Sequence, residues 1–97
     1  AAQAALNAAA RNSLDNILAE REARYGDFAE HAYITRALKT VMRATDKWEY
    51  LSDDQAETLE MIAHKIGRIL NGDPDYADSW VDIAGYAKLV ADRLEKK

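Results

Sequence analysis

The amino-acid sequence predicts an all-α fold, a small bundle of about four helices. Three observations carry that expectation. Apolar residues return at three- and four-residue spacing along most of the chain, and capping signatures precede two of the apolar runs. Four glycines and one proline leave the backbone few places to turn.

The first element is the least constrained. Ala1 to Arg11 has high helix propensity but only Leu6 to bury, which predicts either a loose arm or an extension of the first helix; residues 1–12 are set apart from a single domain over 13–97. Ser13 reads as the N-cap of a helix through Arg24 that carries Leu14, Ile17, Leu18 and Arg21, and Gly26 supplies the left-handed residue that ends it. Asp27 and Glu30 have capping-box spacing. The second helix then presents Ile34, Leu38, Val41 and Met42, ends near Thr45 and holds His31 at the edge of its stripe. Thr45 to Leu51 breaks the period, with Trp48 and Tyr50 folded over the core in a loop or short turn.

Ser52 and Gln55 form a second capping box before a helix whose core stripe is Leu59, Ile62, Ala63, Ile66 and Leu70, closed by Asn71-Gly72. Asp73-Pro74 is a turn, and Tyr76 to Leu94 is the fourth helix. Trp80, Ile83, Ala84, Ala87, Val90, Ala91 and Leu94 share one broad face, with Tyr86 and Leu89 round the other side. A helix apolar on two sides belongs in the middle of a bundle or at a subunit interface, so a homo-oligomer is expected.

Composition limits the function. Ninety-seven residues, 48% apolar and 31% charged, make one small packed domain rather than a multidomain enzyme. Without cysteine there is no thiol nucleophile and no cysteine-based zinc site. A net charge of −4 argues against gripping a nucleic-acid backbone by bulk electrostatics. No apolar run reaches the length of a membrane span and no signal peptide is apparent, which makes the cytoplasm the expected compartment. His31 and His64, without HExxH spacing, are a poor zinc signal, and the aromatic residues read as core or interface. Phosphate-binding glycine loops and acyl-transfer motifs are missing from the sequence.

Two polar groupings remain. On the third helix Glu57, Glu60, His64, Arg68 and Asn71 fall on one side, and on the fourth Asp78 and Asp82 lie one turn apart. In one reading these are solvated surface and ion pairs, with Lys65, Arg68 or Arg93 as partners. In the other, the two helices face each other across the turn at Asn71 to Pro74. Glu57, Glu60, Asp78 and Asp82 would then hold Mg²⁺, while Lys65, Arg68 and His64 meet a phosphate.

Three segments also resemble a family of small phage and prophage proteins of uncharacterised function: Tyr25 to Phe28 (YGDF), His64 to Pro74 (HKIGRILNGDP) and Asp78 to Ala87 (DSWVDIAGYA). That resemblance implies a viral or prophage origin and a bacterial host cell. A remoter likeness is to the MazG-type all-α nucleoside triphosphate pyrophosphohydrolases, which hold Mg²⁺ over nucleotide phosphates with ExxE and ExxD pairs. Glu57-Thr-Leu-Glu60 matches the first pair, whereas Ser79 stands where the second needs its Glu and the nearest acid is Asp78. The resulting expectation is a phage-encoded helical protein that binds, and in its fullest form hydrolyses, a nucleotide or related phosphorylated ligand with Mg²⁺. The alternative is a non-enzymatic interaction protein that engages a host factor or sequesters a ligand.

Overall fold

A computed structural model describes residues 2–96. It contains four helices: α1 (Ala2–Tyr25), α2 (Phe28–Arg43), α3 (Asp53–Asn71) and α4 (Ala77–Glu95), with a short 3₁₀ turn at Trp48–Tyr50. Strands are absent among the described residues, and no described helix is long and apolar enough to cross a membrane.

The alanine-rich opening is the first part of an unbroken helix that runs to Tyr25, so Ser13 lies inside α1 and caps nothing. Alanine carries no propensity cost and nothing nearby interrupts the backbone ladder. None of α1 is buried. It stops at Gly26, whose φ of 81° is the left-handed conformation expected there. The end of α3 then ties it down: Asn71 Nδ2 donates to the carbonyls of Tyr25 (3.0 Å) and Asp27 (2.7 Å), and Asp73 N–H donates to that of Arg24 (2.9 Å). The bonds to Arg24 and Tyr25 satisfy carbonyls that the end of α1 leaves orphaned.

Both expected caps form. The Asp27 carboxylate accepts the Glu30 N–H at 3.2 Å, and Gln55 reaches back to the Ser52 N–H at 3.0 Å. Arg93, near the end of α4, clips the start of α3 by donating to Asp54 Oδ1 (2.9 Å) and Ser52 Oγ (3.1 Å). Hydrogen bonds from Arg93 and Ser52 hold the Asp54 carboxyl down to about 2.

The central helix is α3 rather than α4. It packs on α2 along one side and on α4 along another, while α2 and α4 hardly meet. Its buried residues are Ala63, Lys65, Gly67 and Ile69, and Leu59 and Leu70 of the expected stripe are exposed. Small residues explain the shift. At Gly67 a Cβ would sit 2.6 Å from Thr35 Cγ2 and 3.1 Å from the His31 ring, so only glycine lets α2 come this close. His31 and Thr35 are accordingly the buried residues of α2, and Val41 is exposed. The result is an open arrangement measuring 61 × 28 × 27 Å. Its radius of gyration is 17.9 Å, against about 12.5 Å for a compact chain of this length.

Candidate functional site: an arginine and histidine cleft

The polar side of α3 looks toward α2 and α1, away from α4. Glu60 pairs with Arg43 of α2, which donates through Nε at 2.7 Å. His64 meets His31 of α2, and Arg68 lies over the Tyr25 ring with its guanidinium carbon 4.2 Å from the centroid. On the other side, Lys65 is buried and bonds Asp82 of α4, Nζ to Oδ2 at 2.8 Å. Asp78 accepts a 2.8 Å hydrogen bond from the Tyr76 hydroxyl, and Glu57 is exposed.

The two acidic pairs are thus separated by α3 itself. Glu60 and Asp82 each already neutralise a cation, and among the described residues no group of three or more His, Asp or Glu side chains is placed to hold a metal ion. Within one chain Glu57, Glu60, Asp78 and Asp82 do not make a common donor set for Mg²⁺.

A cleft does form where the C-terminal half of α1 leans over α2 and α3. It encloses about 370 Å³ and is lined mainly by carbon from Leu18, Tyr25 and Phe28, with Arg21, Glu22, Asp27, His31, His64 and Arg68 as its polar groups. An adjoining hollow of about 280 Å³ shares Arg21, Tyr25 and Arg68 and adds Ile17, Glu20 and Arg24. Three arginines therefore surround one tyrosine. Arg24 also stacks on Tyr76 at 4.5 Å and donates to its hydroxyl at 3.3 Å, and Tyr76 meets Tyr25 edge to face at 6.2 Å. Among the described residues neither Arg21 nor Arg68 bonds a carboxylate.

At the cleft floor His31 Nε2 and His64 Nδ1 are 3.3 Å apart, with the rings edge to face. One nitrogen must carry the proton and the other the lone pair, so the contact requires at least one neutral ring. Burial, followed by the positive charges of Arg68, a protonated His31, Lys65 and Lys39, lowers His64 to about 4. Burial and Arg68 likewise lower His31, against a smaller opposing pull from the Gly67 backbone. His31 Nδ1 itself is buried without a hydrogen-bond partner. At neutral pH both rings are uncharged, kept so first by burial and then by the positive charge of Arg68 and the nearby lysines.

Of the ligand-contacting residues expected from sequence, His64 and Arg68 line this cleft and Lys65 faces away from it. Sequence reasoning missed Arg21, Arg24, Tyr25 and His31. A signal was present, since Arg21, Arg24 and Tyr25 stand three and four residues apart and share one end of α1. Arg21 passed instead as part of an apolar stripe.

No curated protein and no solved structure significantly matches the chain. A family model for a domain of unknown function, DUF6378, matches residues 6–94. Because that match spans nearly the whole sequence, the chain belongs to the DUF6378 family.

Proposed function

We propose that the protein is a binding module for a nucleotide or related phosphorylated ligand, held in the cleft between α1, α2 and α3. The observation that carries the reading is the set of Arg21, Arg24 and Arg68 around Tyr25, beside a mostly apolar hollow with two uncharged imidazoles. Planar guanidinium groups match phosphate oxygens with paired donors, and Phe28 and Tyr25 offer an aromatic ring apolar surface. Neutral His31 and His64 can donate or accept toward polar edges without adding charge.

Mg²⁺-assisted hydrolysis at Glu57, Glu60, Asp78 and Asp82 draws support only from the spacing of the first pair. Those carboxylates do not converge in the single chain, and the cleft reading rests on the arginines and aromatic rings instead.

Calorimetric titration tests this with inorganic pyrophosphate, adenosine monophosphate and adenosine triphosphate, each with and without Mg²⁺. Nucleotide binding should weaken roughly tenfold or more in Arg21→Gln and Arg68→Gln, while thermal melts stay close to wild type. Failure of every probe to bind, or binding indifferent to both substitutions, would refute the proposal.

A further inference from the structure

The chain leaves far more surface in water than a compact monomer of its size should, with many large apolar side chains exposed on it. Among the described residues only Ala63 and Ile69 are buried apolar side chains. The exposed area is 7316 Å², whereas a compact chain of this mass exposes ~5,600 Å². The excess of about 1,700 Å² lies within the ~1,000–2,500 Å² that each partner of an obligate dimer buries.

Part of that excess is organised. On α4, Ser79, Ile83, Tyr86 and Val90 turn toward α3, and a second stripe formed by Trp80, Ala84, Ala87, Ala91 and Leu94 stays exposed. Its spacing is four, three, four, three, the seam of a helix that packs lengthwise on another helix. Trp80 is 55% exposed and Leu94 40% exposed, although nothing polar interrupts the stripe between them.

The stripe also complements itself. Reversed about Ala87, it sets Trp80 against the partner's Leu94, Ala84 against the partner's Ala91, and the two Ala87 residues together on the axis. Bulky ends then fill the splayed ends of the crossing, and alanines permit close approach at its centre. Lys88 and Asp92 beside the seam neutralise each other at 2.7 Å, so that pair brings no net charge to it. A surface that matches its own reverse makes a closed two-fold contact.

We infer that the Trp80, Ala84, Ala87, Ala91, Leu94 face of α4 is a homodimer interface, packed antiparallel on α4 of a second copy. This is independent of the proposed ligand, because the seam shares no residue with the cleft.

Sedimentation of the intact chain at micromolar concentration should give a dimer, or a larger closed assembly built from it. Ala87→Cys, the only cysteine in that variant, should crosslink two chains under mild oxidation, since it sits on the two-fold. Ala87→Glu should weaken association by roughly a hundredfold or more through a pair of desolvated like charges. Val41→Glu, at another exposed apolar site, should leave it unchanged. If Ala87→Glu fails to fold, the cysteine crosslink decides. A monomeric wild type overturns the inference and leaves the exposed face to another protein; an absent Ala87→Cys crosslink or an assembly unmoved by Ala87→Glu overturns it too, and assigns self-association to another surface such as α1.

Discussion

Replacing Gly67 with alanine sets two calculable effects against each other. In an unconstrained helix interior the change stabilises by about 1 kcal/mol, because alanine loses less backbone freedom on folding. Here the new methyl would stand 2.6 Å from Thr35 Cγ2 and 3.1 Å from His31 Cε1 and Nδ1, well inside normal contact. Thr35 cannot swing away cheaply, since it is buried and its hydroxyl donates to the His31 carbonyl at 3.1 Å and the Ala32 carbonyl at 3.2 Å. Forcing one methyl into such a contact costs about 1–3 kcal/mol. The clash outweighs the propensity gain, leaving a net loss of about 1 kcal/mol and a Tm lower by roughly 4–8 °C. Gly85 is the control, because a Cβ there meets nothing within 4 Å. Gly85→Ala should therefore stabilise by about 0.5–1 kcal/mol. Thermal melts at equal protein concentration, needed because the inferred dimerisation would add to apparent stability, compare the two. A Gly67→Ala protein that melts at or above wild type would show that α2 and α3 do not meet as described.

The charged and titrating groups give two further expected outcomes. His64 titrates near 4 in the folded chain against 6.5 when unfolded, so between those values the unfolded state binds more protons. Stability is full above pH 6.5 and is lost as pH falls toward 4; partial exposure limits the effect to about 1–2 kcal/mol. Urea unfolding across that range should be visibly less pH-dependent in His64→Gln, and an equally steep curve would contradict the assignment. Asp82→Asn leaves buried Lys65 without its carboxylate at 2.8 Å. It should cost about 1–3 kcal/mol by chemical denaturation, since Asp82 is itself only half-buried. The loss should be the same with and without Mg²⁺; a loss appearing only with Mg²⁺ would restore Asp82 as a metal ligand.

Local features were the ones legible in the sequence. Gly26 had to take a left-handed conformation, Asp27 and Gln55 had acceptors in reach of free N–H groups, and Asn71 to Pro74 could not continue a helix. Each feature depends on neighbours within a few residues, so element order, the all-α class and most helix ends could be read directly. Ser13 misled because capping preference is weak beside an alanine-rich stretch already able to propagate helix. Which side of α3 would meet which neighbour was a different kind of question. Periodicity places Glu57, Glu60, His64, Arg68 and Asn71 on one side, but it names no partner for that side. Gly67 and Ala63 admit α2 and bury His31, Asn71 fastens α1 across the end, and Lys65 is left to Asp82. Those close approaches made an arginine-lined cleft from residues 21 to 68 and kept the acidic pairs apart, because steric fit between helices distant in sequence cannot be encoded in the spacing along any one of them.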